Sequence, residues 1–232
     1  MPAIDRDVVI VADGDVDLLR LAALLRPAEG ALDAALPLVI AADGGAAKAL
    51  AAGVRPDIVI GDGDSLTIAE RERLAGLGVE VRTASVDKDE SDSELCLAAA
   101  VQAGATRITM LGALGGDRPE HGIANVLQLA DPRLDGRDVV IADGATVLTR
   151  MGRRDGPGTA TIEGRAGDFV SLFPLGDRVE GIRTEGLRFA LHDETLEQGP
   201  SRGLSNELLG AVAHIRSARG RLLIVHTATK GA

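Results

Sequence analysis

Short apolar runs alternate with amphipathic stretches through the first 150 residues, and that alternation restricts the fold more than any other feature of the chain. The runs lie at residues 8–12, 38–42, 58–60, 79–82, 107–111 and 139–142, and most lack an outward polar face. A run that is apolar on both sides predicts a strand covered on both faces, which is the condition of a parallel sheet. Between the runs, residues 17–25, 46–52, 68–77, 93–103 and 123–129 carry apolar side chains at helical spacing. Strand and helix alternating in this way predict an α/β domain. Gly and Asp recur where the runs stop: Ala12-Asp13-Gly14, Ala42-Asp43-Gly44-Gly45, Gly61-Asp62, Gly112 and Asp143-Gly144. In open parallel sheets the carboxyl ends of the strands border the ligand crevice.

Gly61-Asp62-Gly63-Asp64-Ser65 is the most informative of these strand ends. Two carboxylates one residue apart repel each other unless a cation lies between them, and hard oxygen donors suit Mg²⁺. Gly61 and Gly63 leave room for a charged ligand to approach the backbone. The alternative for the pentapeptide alone is an acidic turn. Five acids and Lys88 follow in residues 87–94, just ahead of a helical pattern. Ser91 with Glu94 three residues on reads as a capping box, which puts Asp92 in the first helical turn. Capping does not by itself call for Lys88, Asp89 and Asp92 together. A third segment runs Gly112-Ala113-Leu114-Gly115-Gly116-Asp117-Arg118-Pro119-Glu120-His121, with Ala124-Asn125 after it. Its glycines suit backbone contacts to phosphate oxygens, and Arg118 offers a planar clamp. Acids for a metal, with glycines and an arginine for phosphates, describe a nucleotide site. The chain has neither a Walker A lysine motif nor a dinucleotide glycine fingerprint opening a helix, which argues against a P-loop kinase or a dehydrogenase.

Composition narrows the partners. A net charge of −10 disfavours nucleic acid and anionic membrane. No apolar run approaches the roughly 20 residues of a membrane span, and residues 1–7 show no basic leader before a long apolar stretch. These features predict a cytoplasmic protein. Cys96, the single cysteine, sits in an apolar helical pattern and reads as core. There is no Trp or Tyr, and Phe occurs three times, so stacking platforms are scarce. Beyond Arg150 the texture changes. Residues 152–158 read as a linker, and short alternating stretches follow at 159–162, 169–173, 179–183, 187–191, 209–217 and 222–225. They predict a small antiparallel sheet or sandwich, and so two domains, 1–151 and 152–232.

Taken in order, these motifs resemble the thiamine pyrophosphokinase (thiamine diphosphokinase) family. Its Ala-Asp-Gly-Gly is similar to residues 42–45, its Gly-Asp-x-Asp-Ser to 61–65, and its acidic segment ending Thr-Asp to 87–92, with Ser91 in place of threonine. Its Gly-Gly-x-Arg-x-Asp-His followed by Ala-Asn is similar to 115–125, with Glu120 in place of aspartate. Residues 171–175, 186–187 and 203–207 look like its C-terminal signature. The resemblance runs from about residue 40 to the end of the chain. It implies an N-terminal parallel-sheet, Rossmann-like α/β/α domain that binds ATP and Mg²⁺. It also implies a C-terminal β-sandwich domain for thiamine and dimerisation, in a homodimer whose active sites use both subunits. The implied reaction moves diphosphate from ATP to the hydroxyl of thiamine and releases AMP.

The implied roles fall residue by residue. Asp62, Asp64 and Asp92 hold Mg²⁺ and act in catalysis with Lys88 and Arg118. Asp43, Gly44, Gly45, Ser65, Lys88, Asp89, Gly115, Gly116, Arg118 and Asn125 bind ATP. Glu120, His121, Ser205 and Asn206 bind thiamine. Plainer readings stand beside several of these: a solvated charge for Lys88, a salt bridge to Glu120 for Arg118, helix packing for His121, and a strand-entry turn for Ser205-Asn206. Phe173 and Phe189 are candidates to stack on the substrate, with core packing the expected use. His192, His214 and His226 are too dispersed for a metal site. A diphosphokinase for another heteroaromatic alcohol, such as a hydroxymethylpterin, would keep the phosphate residues, and a non-catalytic nucleotide-binding regulator would have lost turnover.

Overall fold

The computed structural model describes residues 6–25, 36–63, 65–85 and 87–229, which form two compact units, Met1–Asn125 and Val126–Ala232. Asp64 and the first five residues lie outside the described residues. In the first unit, strands and helices alternate as the apolar pattern predicts: β1 (Asp7–Val11), α1 (Leu18–Leu24), β2 (Leu38–Ala42), α2 (Gly45–Ala51), β3 (Ile58–Gly61), α3 (Ile68–Gly76), β4 (Glu80–Thr83), α4 (Asp92–Gln102), β5 (Arg107–Leu111) and α5 (Pro119–Gln128). The five strands lie in the order β5-β1-β2-β3-β4, every pair parallel. Residues 8–11 of β1, 39–42 of β2 and all of β3 are buried, which is what runs without a polar face require. The edge strand β4 is exposed throughout, and the Glu80–Arg82 ion pair (2.7 Å) places charge along it.

Caps fix where the helices start. Ser91 accepts from Glu94 N at the head of α4, as its spacing predicts, and so sets Asp92 in the first turn. A complete capping box closes α3, where Thr67 and Glu70 bond each other's backbone N–H. Cys96 is fully buried, and burial pushes its thiol far above the ordinary value, which leaves it inert.

The second unit contains β6 (Asp138–Asp143), β7 (Thr146–Arg153), β8 (Gly158–Glu163), β9 (Phe169–Pro174), β10 (Arg178–Glu185), β11 (His192–Glu197), β12 (Asn206–Glu207), β13 (Val212–Ser217) and β14 (Gly220–Thr227). They form two antiparallel sheets, ordered β12-β9-β14-β7-β6 and β11-β10-β13-β8. One core fills with their inward residues, among them Met151, Val170, Leu172, Leu222 and Ile224 from the first sheet and Ile162, Val179, Ile182, Leu196 and Ile215 from the second. Residues 152–158, expected as a linker, instead finish β7 and turn into β8. Residues 187–191 are not a strand, because Asn206 takes the backbone groups of Phe189 that a ladder would use. The expected strand at 209–217 begins only at Val212. The phenylalanines are also not core: Phe169, Phe173 and Phe189 are all exposed, since on β9 it is Val170 and Leu172 that face inward.

Two polar groups hold this unit together. Arg150 and Arg221 are nearly buried, and both guanidinium groups bond Asp135, Arg221 through Nε at 2.9 Å and Nη2 at 2.8 Å. Asp168, also buried, accepts from Arg165 N (2.8 Å), Thr229 N (2.8 Å) and Thr229 Oγ1 (3.0 Å), with His226 Nε2 at 3.3 Å. The backbone N–H groups of Thr229 and Arg165 hold its carboxyl well below the usual aspartate range. A depressed folded pKa adds stability that is fully present above the unfolded value, about 3.9, and is lost as pH falls through the folded one. Asp168→Asn is therefore expected to lower Tm at pH 7, with the gap to the parent narrowing below about pH 4. Thermal unfolding between pH 7 and pH 3 checks this, and a gap that does not change with pH would refute it.

Candidate active site

A cavity of about 690 Å³ opens at the carboxyl ends of the first unit's strands. Four of the five strand ends deliver residues to it: β1 through Asp13 and Asp15, β2 through Asp43, β3 through Asp62 and Ser65, and β5 through Gly115, Gly116, Asp117 and Arg118. Lys88 comes from the loop between β4 and α4, Asp92 and Ser93 from the start of α4, and His121 and Asn125 from α5. The rule that ligand sites lie at these strand ends thus locates the cavity from the apolar pattern alone.

Asp43 is the most constrained residue in the wall. It is 4% exposed, its φ of 36° is unusual for a non-glycine residue, and its Oδ2 accepts from Ser65 N at 3.0 Å. Among the described residues, its Oδ1 is buried with no hydrogen-bond partner. What approaches the backbone at Gly61 is this same side chain, for a Cβ there would lie 2.7 Å from Asp43 Cβ. Asn125, buried, donates from Nδ2 to Ala113 O at 2.8 Å and so sets the β5–α5 loop.

The cations of the wall are all paired. Lys88 Nζ bonds Asp92 Oδ1, with both side chains largely buried, so Lys88 is not a solvated charge. Arg118 bonds Glu120 at 2.8 Å, both exposed, and the guanidinium holds Glu120's carboxyl below the usual range. Lys48, on α2, reaches Asp13.

Most of the expected site residues meet in this cavity: Asp43, Asp62, Ser65, Lys88, Asp92, Gly115, Gly116, Arg118, His121 and Asn125. Gly44 and Gly45 form the start of α2, while Asp89 and Glu120 are not part of the wall. Ser205 and Asn206 belong to the second unit. There Asn206 spends its amide on the backbone, donating to Phe189 O (2.8 Å) and accepting from Phe189 N (2.9 Å) and Glu207 N (2.9 Å). Ser205 adopts φ 59° and its N–H donates to Ser171 Oγ at 3.0 Å, so the pair shapes a turn beside the exposed Phe189. Asp13, Asp15, Lys48 and Asp117 were not anticipated as site residues. Asp13-Gly14, at the end of the first apolar run, carried the same signal as the other strand ends.

The donor set suits a hard cation in part. Asp43, Asp62 and Asp92 bring carboxylate oxygens to one cavity, and the unpartnered Asp43 Oδ1 is a ready acceptor. Among the described residues, no group of three or more His, Cys, Asp and Glu is already arranged to hold a metal ion.

Known proteins resemble the chain over nearly its whole length. Residues 31–141 match the family model described as thiamin pyrophosphokinase, catalytic domain, and 159–222 match thiamin pyrophosphokinase, vitamin B1 binding domain. Thiamine pyrophosphokinase of Bacillus subtilis is 25% identical over 191 residues, 82% of this chain and 87% of that protein. The crystal structure of thiamin pyrophosphokinase from Geobacillus thermodenitrificans superposes with a TM-score of 0.76 at 28% identity, covering 97% of this chain and 98% of that one. The Bacillus subtilis structure gives 0.78 at 24% identity, covering 97% and 100%. The matched family models and relatives are all named as pyrophosphokinases, a class of phosphotransferase. The chain belongs to the thiamine pyrophosphokinase family, and with that membership comes thiamine diphosphokinase activity.

Proposed function

We propose that the family's transfer of diphosphate from ATP to the hydroxyl of thiamine takes place in the cavity at the strand ends of the first unit. The observation that carries this reading is Asp43, a buried carboxylate with one oxygen unpartnered among the described residues, in the same wall as Asp62 and Asp92. An unpaired buried anionic oxygen is costly, and a structure keeps one where a ligand completes it. Asp62, Asp64 and Asp92 would hold Mg²⁺, with Asp43 as an added donor. When bound, Mg²⁺ supplies charge neutralisation to the phosphate oxygens. Gly44, Gly45, Ser65, Asp89 and Asn125 would position the nucleotide, and Gly115 and Gly116 give the phosphates room.

In the transfer, the thiamine oxygen gives up its proton to solvent and bonds to the β-phosphorus as that phosphorus parts from the oxygen it shares with the α-phosphorus. AMP leaves with the shared oxygen. Charge grows on the transferred group and the departing phosphate, so catalysis asks for positioning and positive charge, which Lys88 and Arg118 supply. Glu120 and His121, with Ser205 and Asn206, would face thiamine. Given its hydrogen bonds, Asn206 serves by holding the loop of Phe189. We read residues 1–151 as the Rossmann-like α/β/α domain for ATP and Mg²⁺, and 152–232 as the β-sandwich domain for thiamine and dimerisation. Release of AMP from ATP and Mg²⁺ that depends on added thiamine tests the reading. AMP release with another heteroaromatic alcohol and none with thiamine would overturn it.

The assembly we propose is a homodimer in which each active site draws on both subunits. Mixing an inactive Asp64→Asn chain with an inactive Asn206→Ala chain then leaves one site in each mixed dimer free of both lesions. After complete subunit exchange, activity is expected to return to about a quarter of the parent's. No recovery despite verified exchange would place both sets of residues of a site in one chain.

A further inference from the structure

We propose that Lys48 is a third phosphate-binding cation of the cavity, held by Asp13 until the nucleotide arrives. The inference rests on the active-site reading above and concerns two residues to which that reading gives no role. Lys48 projects from α2 and its ammonium meets three oxygens: the carbonyls of Asp13 and Gly14, and Asp13 Oδ1 at 3.1 Å. An ammonium has three N–H donors; two go to the carbonyls, and the Asp13 carboxylate is held as an ion pair. The two carbonyls tie Lys48 to the loop after β1, which is itself pinned by Gly14 N donating to Gly112 O at 2.8 Å. Those bonds fix the ammonium in the cavity wall. The third partner, a carboxylate, is the one a phosphate oxygen can replace.

The Asp13 carboxylate occupies a place suited to such an oxygen. It lies directly over Gly44, where a Cβ would come within 2.4 Å of Oδ1 and 2.8 Å of Oδ2, so only glycine admits an oxyanion at that point. The Asp13 side chain is 59% exposed and that of Lys48 33% exposed. A pair so open to water contributes little to stability, and exchanging one anion for another there is cheap. Among the described residues, the wall's lysines and arginine, Lys48, Lys88 and Arg118, are each bonded to a carboxylate, so a polyphosphate meets a neutralised cation at each of them. Asp13 is far more exposed than Asp92, the partner of Lys88 (59% against 27%), and its departure removes a negative charge from the path of the phosphates.

Calorimetric titration with α,β-methylene-ATP and Mg²⁺, without thiamine, tests the exchange in the parent, Lys48→Gln, Lys48→Arg, Asp13→Asn and the Lys48→Gln/Asp13→Asn pair. Lys48→Gln is expected to weaken binding about tenfold, with partial recovery in Lys48→Arg. Asp13→Asn is expected to tighten binding about threefold, and that gain should shrink when Lys48 is already glutamine. A residue that only braces the loop would behave oppositely, because Asp13→Asn would then loosen the wall and weaken binding. Unchanged binding in Lys48→Gln, or weaker binding in Asp13→Asn with Tm preserved, overturns the proposal. Thiamine-dependent AMP release by the parent keeps the two readings separate: turnover with no effect of Lys48→Gln on binding removes only the role of Lys48.

Discussion

Asp62→Asn is expected to lower kcat about 100-fold or more at saturating ATP, thiamine and Mg²⁺, the scale of losing a charge contact made in the transition state. Asp62 stands in the cavity wall just past the end of β3, a strand buried throughout, so the change removes charge from a rigid support. The same loss is expected for Asp64→Asn, on the sequence pattern of two acids one residue apart. Removing the carboxylate takes away a donor for the metal and leaves phosphate charge unbalanced, while the isosteric amide keeps the volume. Tm should stay close to the parent's, because the acid serves the ligand and not the core. Steady-state kinetics across a Mg²⁺ series is the measurement. Turnover within a few-fold of the parent at high Mg²⁺ would remove Asp62 from the catalytic set.

Asp135→Ala is expected to be strongly destabilising in the second unit. It strands two arginines whose side chains are 1% and 6% exposed, and each loses its carboxylate without gaining water. Breaking a buried pair by deleting one partner costs about 3–5 kcal/mol, and the lower end applies because Asp135 itself is partly open to solvent. At about 3 kcal/mol, Tm falls by about 6–12 °C for a chain of this size. Hydrogen bonds from Arg221, and then Arg150, hold the Asp135 carboxyl below the usual range, so its contribution is complete at neutral pH. Asp155→Ala makes the contrast: its ion pair with Arg219 is exposed on both sides and should change stability by less than about 1 kcal/mol. Urea unfolding of the two variants checks both values. A loss for Asp135→Ala no larger than that for Asp155→Ala would show that water reaches the arginines.

Much of the first unit was legible in the chain because its signals are local. An apolar run with no polar face must be covered on both sides, and Ser91 three residues before Glu94 marks a helix start whatever lies around it. The second unit was less legible, since an antiparallel strand is defined by its partner. Residues 146–153 read as the end of one domain and the start of a linker, yet they form β7, paired with both β6 and β14. Phe173 and Phe189 suggested core because aromatic residues are usually buried. Which face of a strand turns inward depends on its register, and Val170 and Leu172 took that face of β9.

The site divides in the same way. The order of the motifs determined by itself the strand-end location, the acids Asp43, Asp62 and Asp92, and the cations Lys88 and Arg118, because each sits next to a strand or helix terminus visible in the sequence. Only the tertiary structure decided what those groups bond to. Lys48 and Asp13 stand 35 residues apart and meet because β1 and β2 are neighbours in the sheet. Asn206 reaches Phe189 with all of β11 between them in the chain, and Asp135 gathers Arg150 and Arg221 from two paired strands. Charge and hydrogen bonding act over a few ångströms, and distance along the chain says nothing about such separations until the fold has closed.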